Sequence, residues 1–113
     1  MDRGTICYTT VVGGLGHDQG TRPVLVIGRT ELGRRTGETI VLPISHVEPV
    51  WSYPLSWQLP TGLLLEPSWV LVSRPRAALL TRLRDAVAML DREQLEEITS
   101  ALRQLVEDAP FRS

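Results

Sequence analysis

The sequence contains a single cysteine, no lysine and no long apolar run. One cysteine, Cys7, excludes an internal disulfide and a cysteine-based metal site. No apolar run approaches the ~20 residues that span a bilayer, so no membrane segment is expected. The first residues, Met1 to Gly4, lack the pattern of a signal peptide. Together these absences predict a cytoplasmic protein.

All 12 basic residues are arginine, and the formal net charge is −1. Near-neutral charge argues against a general binder of polyanions. The charge is unevenly distributed, because residues 1–90 hold nine arginines and seven acids, whereas residues 91–108 hold two arginines and six acids. Genome base composition is a sufficient reason for using arginine alone. Arginine can nevertheless bind phosphate with two parallel N–H donors, which lysine cannot.

Alternating apolar residues, β-branched residues and turn signals predict a chain of short strands. The predicted strands are Thr5 to Val12, Val24 to Gly28 (with Pro23 at its start), Thr39 to Leu42, an edge strand around Trp51, Tyr53 and Leu55, Gly62 to Leu65 and Ser68 to Ser73. The polar segment Arg29 to Glu38 is interpreted as a mobile hairpin tip, and Arg74 to Arg76 as the end of the strand-rich part. Ala77 to Leu90 is interpreted as a short helical turn followed by irregular chain or strand.

The last predicted element is a helix. Asp91 stands in the N-cap position and Gln94 in the matching capping-box position. Apolar residues then recur at helical spacing from Leu95 to Leu105, and Asp108 to Pro110 are expected to stop the helix. We therefore predict one domain, 1–113, of the mainly β (α+β) class: a small SH3-like barrel of about five to seven short strands over 3–90, with a C-terminal helix over 91–108 packed on it.

Several polar side chains are predicted to gather at one end of the strands. His17 and Asp18 lie in a loop between glycines, and Arg22 heads the second strand. Ser45 and His46 end the third strand, which would bring them to the same end of a hairpin. A guanidinium, a hydroxyl, an imidazole and a carboxylate suit phosphodiester chemistry. The arginine can stabilise the charge of the transition state, while the carboxylate or imidazole moves protons. Loop bracing by an Arg22–Asp18 pair and ordinary hydrogen bonding by the two histidines remain open as structural alternatives.

The same segments resemble those of the MazF/PemK toxins, the ribonuclease halves of toxin–antitoxin pairs. That family begins with an Arg-Gly-(Asp/Glu)-Ile motif, which is similar to Arg3 to Ile6. Its loop motif Gly-(Ser/His)-Glu-Gln, followed by Arg-Pro and an aliphatic run, is similar to Gly16 to Ile27. Its Pro-(Ile/Val)-Thr-Ser motif is similar to Pro43 to His46. Its Ser-x-Val-Leu-x-Asp-Gln-(Ile/Pro)-Arg-Thr motif is similar to Ser68 to Ala77, and its terminal helix to Leu95 to Leu102.

The resemblance implies an SH3-like barrel that forms a homodimer and cleaves single-stranded RNA (mRNA) at selected sequences. It implies no metal or other cofactor and no membrane. The partner it implies is a cognate antitoxin, whose acidic or apolar segment lies along the dimer groove. The family's site residues fall on Arg22, Ser45, Asp18 and Arg76. The expected catalytic set is Arg22, Ser45, Asp18 and His46, and the expected RNA-binding set is His17, Gln19, Arg74 and Arg76, with Arg29, Arg34, Arg35, Trp51 and Tyr53 as further candidates.

The chain departs from the family pattern in three ways. Asp18 replaces a longer glutamate, one residue is missing before Arg22, and Ser73-Arg74 replaces an Asp-Gln pair. Two alternatives therefore stay open beside the ribonuclease. One is a non-catalytic barrel that binds nucleic acid or a partner protein. The other is a toxin of the same fold that acts on a protein such as DNA gyrase.

Overall fold

A computed structural model describes residues 1–11 and 20–107 of the protein. Within these residues the chain forms seven strands, two α-helices and one 3-10 turn: β1 (Thr5–Val11), β2 (Gly20–Val26), α1 (Thr30–Thr36), β3 (Glu38–Ser45), β4 (Ser56–Gln58), β5 (Trp69–Leu71), β6 (Arg76–Leu79), the 3-10 turn (Leu80–Arg82), β7 (Leu83–Met89) and α2 (Arg92–Val106). This antiparallel sheet with a terminal helix confirms the predicted fold class. In the described part of the chain, neither helix has the length and apolar character needed to span a bilayer.

The strands follow the order β4-β5-β3-β2-β1-β7, and the pairings are antiparallel. β3 also pairs with β6, along its first half, before its last two residues pair with β5. β3 therefore joins two parts of the sheet. Its neighbour β2 begins at Gly20, earlier than predicted, so Arg22 and Pro23 lie inside a paired strand rather than before one.

Successive side chains of the central strands enter two different core clusters. Ile6 and Leu25 belong to the larger cluster, whereas their neighbours Cys7 and Val24 belong to the smaller one. This alternation follows from the period of two in a β-strand. Helix α2 contributes Ile98 and Ala101 to the larger cluster. The smaller cluster lies on the other face of the sheet and consists of Cys7, Val24, Val26, Val41 and Leu83.

Helix α2 begins as the sequence predicts. The Asp91 carboxylate accepts a hydrogen bond from the Gln94 backbone N–H, and the Gln94 side chain accepts one from the Asp91 N–H, both at 2.8 Å. These two bonds satisfy N–H groups that have no partner within the helix. The predicted stop at 108–110 lies outside the described residues.

The segment predicted as a hairpin tip is instead helix α1. Gly37 ends this helix in the left-handed conformation, with φ of 76°, and its N–H donates to the Gly33 carbonyl at 2.8 Å. Gly33 is buried against Leu80, and a Cβ built on it would lie 2.8 Å from the Leu80 Cδ1 atom. Because this contact joins positions distant in sequence, the local polar pattern does not reveal it.

Two of the strands predicted between β3 and β5 are wrong. Residues 51–55 and 62–65 form turns and irregular chain. The strand in this region is β4, which pairs with β5. Its Trp57 indole N–H donates to the Glu97 carboxylate at 2.8 Å, so the segment is bonded to α2 as well as to β5.

The strand-rich part also continues past its predicted end. Strand β6 starts at Arg76, and the predicted short helical turn follows as Leu80–Arg82. The chain then forms β7, which pairs with β1 through an irregular register between Ile6 and Tyr8. These pairings depend on β1 and β3, which are remote in sequence, and this explains why they were only partly predicted.

Candidate functional site

A groove of about 580 Å³ opens on the face of the sheet opposite α2. Four arginines line it, and we call it the arginine groove: Arg22 from β2, Arg74 after β5, Arg76 at the start of β6 and Arg82 in the 3-10 turn. Its lining in the described part of the chain contains one carboxylate, Glu38, and no aromatic side chain. The groove therefore carries a net positive charge and suits an anionic ligand.

Arg22 is held by its pairing with strand β1. It pairs with Thr9 of β1, and both residues line the groove. The strand continues into Val24, Leu25 and Val26, which are 3%, 0% and 0% exposed. The Arg22 side chain is exposed on a backbone that is fixed by buried neighbours. Such an arrangement presents a guanidinium with little backbone freedom.

Ser45 is predicted to act beside Arg22, but it does not line the groove, whereas Pro43 and Ile44 just before it do. The pairing of β2 with β3 ends at Val24 and Pro43, and Ser45 pairs with Trp69 of β5. The Ser45 hydroxyl is engaged in a turn, since it donates to the Val47 carbonyl at 2.9 Å and accepts from the Val47 N–H at 3.0 Å. Donation to a phosphate would require the hydroxyl to give up the Val47 carbonyl.

The remaining arginines enter the groove from the segment after β5. Arg76 pairs with Val41 of β3, which also lines the groove. Arg74 and Arg76 are exposed, and within the described residues neither takes part in an ion pair. Arg82 completes the set and was not among the predicted site residues. The signal that could have found it is its place in the short helical turn predicted soon after Arg74 and Arg76.

His46 lies away from the arginine groove. It lines a separate cavity of about 420 Å³ together with Tyr8 and Glu66. Its Nδ1 atom is 3.0 Å from the Ser68 hydroxyl, which donates its own proton to the Glu66 carbonyl at 2.8 Å. With the Ser68 proton on the Glu66 carbonyl, the His46 tautomer that carries a proton on Nδ1 donates to Ser68. His46 was predicted to lie near Arg22, but the structure does not bring them together, because His46 follows the end of β3 and lines the other cavity beside Ser68.

The other candidates fall into three groups. His17, Asp18 and Gln19 lie outside the described residues. Arg34 and Arg35 lie on α1, where Arg35 pairs with Glu31 at 3.3 Å. Arg29, Trp51 and Tyr53 do not line the groove: Arg29 lies in a different cleft beside α2, Trp51 is exposed, and the Tyr53 hydroxyl donates to the Glu97 carbonyl at 3.3 Å.

Cys7 lies in the smaller core cluster beneath this face of the sheet and is fully buried. Burial raises the pKa of its thiol above the ordinary value of 9.0, and the N-terminal ammonium opposes this effect. The thiol is therefore neutral near pH 7 and is not an activated nucleophile. Among residues 1–11 and 20–107, no three side chains of His, Cys, Asp or Glu come together as a metal site would require.

Residues 2–106 match the sequence profile described as PemK-like, MazF-like toxin of type II toxin–antitoxin systems. The chain belongs to this family. The match covers the strands that form the arginine groove and helix α2. It confirms the resemblance seen in the sequence motifs, and it makes the protein a toxin of the MazF/PemK type.

Solved structures of MazF/PemK toxins have the same fold. A chain of the Deinococcus radiodurans MazE–MazF complex (Form-II) superimposes with a TM-score of 0.81 at 24% identity, over 96% of this chain and 97% of that one. An endoribonuclease in complex with its cognate antitoxin, from a mycobacterial species, gives 0.76 at 18% identity over 97% and 99%. The Mycobacterium tuberculosis toxin MazF-mt6 gives 0.71 at 17% identity over 88% and 92%. No curated protein matches the chain.

Proposed function

We propose that this MazF/PemK toxin is an endoribonuclease that cleaves single-stranded RNA in the arginine groove. The observation that carries the proposal is that four arginines line one groove whose described lining has a single carboxylate. One arginine comes from β2, and three come from the stretch between β5 and β7. RNA offers one phosphate per nucleotide to such a surface. The mycobacterial neighbour described as an endoribonuclease supports the same activity. Cleavage of mRNA sets the toxin's place of action in the cytoplasm.

In the proposed reaction the nucleophile belongs to the substrate. The ribose 2′-oxygen bonds to the adjacent phosphorus while the bond from phosphorus to the 5′-oxygen breaks. The 2′-hydroxyl gives its proton to a base, and the departing 5′-oxygen gains one. The products are a 2′,3′-cyclic phosphate and a 5′-hydroxyl. Because no water has to be activated, we propose that the reaction proceeds without a metal ion.

Arg22 is the proposed stabiliser of the transition state. Negative charge increases on the two non-bridging oxygens as the 2′-oxygen attacks. A fixed guanidinium fork stabilises this charge more than that of the ground state, and this difference lowers the barrier. The pairing of Arg22 with Thr9 and the buried strand after it support this role. Arg74, Arg76 and Arg82 are the proposed contacts to neighbouring phosphates.

The proton acceptor is proposed to be a carboxylate. The family resemblance places the loop acid at Asp18, and Glu38 is the carboxylate that lines the groove among the described residues. Ser45 is the proposed donor that orients the phosphate, since it directly follows Pro43 and Ile44, which line the groove. We leave His46 out of the reaction, because it lines another cavity and donates to Ser68. Comparing Asp18→Asn with Glu38→Gln separates the two candidate acceptors.

The homodimer and the antitoxin complete the proposal. Several large apolar side chains are exposed on a single chain, as at an interface: Val47, Val50, Trp51, Leu65, Val87 and Met89. Val87 and Met89 belong to β7, which forms one end of the strand order. Sedimentation at micromolar concentration should therefore show a species about twice 12.6 kDa. The neighbouring MazE–MazF complex and the neighbour bound to its cognate antitoxin support a cognate antitoxin as the partner of this chain.

The deciding experiment incubates the purified protein with mixed-sequence RNA in EDTA and identifies the fragment ends. We expect cleavage with cyclic phosphate and 5′-hydroxyl ends. Loss of this cleavage is expected in Arg22→Gln but not in Arg92→Gln, which removes the same charge from the exposed start of α2. Binding without cleavage would identify a non-catalytic RNA-binding barrel. Absence of both, with toxicity retained, would point to a protein target.

A further inference from the structure

A second cluster of arginines lies on the opposite side of the molecule from the arginine groove. Arg3, Arg29 and Arg103 line a cleft of about 260 Å³ between α2 and the segments next to β1 and α1. We call it the α2 cleft. Its apolar part consists of Ile27, Ile98 and Leu102. No acidic residue is part of its lining within the described chain, so its rim is positive and its floor apolar.

One of the three guanidinium groups is fixed in place. The Arg3 Nη2 atom donates to the Thr99 hydroxyl at 2.6 Å. Arg3 and Arg29 make no ion pair within residues 1–11 and 20–107, and Arg103 reaches the Glu107 carboxylate only at 4.0 Å. Most of the N–H donors of this cluster therefore have no carboxylate partner in the described structure.

The size of the α2 cleft limits what it can hold. Pockets for small-molecule ligands usually measure about 300–1,000 Å³, and the α2 cleft is smaller, at about 260 Å³. It fits one or two side chains of a larger partner. An aliphatic side chain on the floor, flanked by carboxylates at the rim, would match both parts of its lining.

Acidic residues on α2 limit how long the anionic part of a bound partner can be. Glu96 lies one turn before Thr99 on the same helix face, and Glu107 lies one turn after Arg103. These two carboxylates are about 16 Å apart along the helix axis. A long polyanion such as RNA would bring further phosphates against them. An extended peptide would span this distance with about five residues.

We propose that the α2 cleft binds a short acidic peptide segment of a protein partner, in which an aliphatic side chain stands between carboxylates. The aliphatic side chain packs on the half-buried Ile27 and Leu102. The carboxylates accept hydrogen bonds from Arg29 and Arg103, while Arg3 is held by Thr99. This site is separate from the arginine groove and does not depend on the proposed RNA cleavage.

The proposal is tested by NMR with the full-length, isotope-labelled protein. The probe is a blocked five-residue peptide with a central leucine between two glutamates. We expect saturable shifts of the backbone amides of Arg29 and Thr99 to Arg103. Shifts confined to residues of the arginine groove, or the absence of shifts, would overturn the proposal. A 2′-O-methyl RNA oligonucleotide that shifts the same amides at lower concentration would also overturn it.

Charge variants provide the matched comparison. Arg29→Gln and Arg103→Gln should each weaken the peptide about two- to fivefold, as expected for exposed ion pairs. Arg92→Gln removes the same charge from the same helix outside the cleft, and it should leave the affinity unchanged. A lysine-for-glutamate version of the peptide should not bind. Equal weakening by all three variants would show attraction by overall charge and would contradict a defined site.

Discussion

Arg22 stands across the β1–β2 pair from Thr9, and both side chains line the arginine groove. From this position we predict that Arg22→Gln lowers the rate of RNA cleavage by about 10²–10³-fold, the usual effect of removing one donor to a developing negative charge. The melting temperature should stay nearly constant, because the Arg22 side chain is exposed.

The substitution Arg22→Lys separates the effect of the two paired N–H donors from the effect of the positive charge. It keeps the positive charge but loses the paired N–H donors, so it should recover little of the lost rate. A protein with Arg22→Gln that cleaves at a near-normal rate, or that unfolds, would show that Arg22 braces the loop instead.

RNA binding should weaken steeply with salt. Four arginines that neutralise four phosphates of a single strand give a slope of roughly −3 in a plot of log affinity against log salt concentration. Arg82→Gln should reduce this slope by about 0.7, whereas Arg92→Gln should leave it unchanged. Fluorescence anisotropy with a cleavage-resistant oligonucleotide measures both. A slope near zero would exclude the groove as the RNA surface.

The bond from His46 to Ser68 should serve stability rather than cleavage. Ser68 is 2% exposed and joins the His46 ring to the Glu66 carbonyl. Ser68→Ala should therefore lower the free energy of unfolding by about 1–2 kcal/mol, because it removes a buried hydroxyl with two partners. His46→Gln should cleave RNA at nearly the normal rate. A tenfold loss of cleavage in a stable His46→Gln protein would return His46 to the catalytic set.

Cys7 should be protected from thiol reagents in the folded protein. Its raised pKa keeps the thiol neutral at pH 8, and only the thiolate reacts with iodoacetamide. Labelling should be slow in buffer and fast in urea, as mass spectrometry can measure.

The stability of the fold should also depend on the Cys7 thiol at alkaline pH. The pKa of the thiol is near 9.0 in the unfolded chain and higher in the folded protein, so its contribution to stability is lost as the pH rises above about 9. Replacement of Cys7 by alanine should remove that alkaline loss.

The parts of the fold that could be predicted are those specified by neighbouring residues. The capping box of Asp91 and Gln94 and the apolar stripe after it define α2 through contacts within one or two turns. Alternation alone located β1. In contrast, α1 depends on the packing of Gly33 against Leu80, and β6 depends on its pairing with β3. Local sequence carries no information on either contact.

The residues of the candidate site also differ in whether neighbouring residues or remote contacts determine their position. Arg22 lines the groove and was selected from sequence because a buried aliphatic run follows it. Ser45 and His46 were grouped because both stand at the end of the neighbouring strand, but His46 lies beyond β3 and contacts Ser68 in a different cavity. Arg82 was missed because its approach to the groove depends on the turn between β6 and β7.

The origin of the four groove arginines has a consequence for how the toxin can evolve. Arg22 lies in a strand with fully buried neighbours, so mutations around it carry a folding cost. Arg74 and Arg76 lie in a stretch, 73–77, in which each residue is exposed. Substitutions there alter the charge and reach of the groove with little effect on folding. Among descendants of this gene, that stretch should diversify first as the preferred RNA sequence changes, while Arg22 and its strand remain the same.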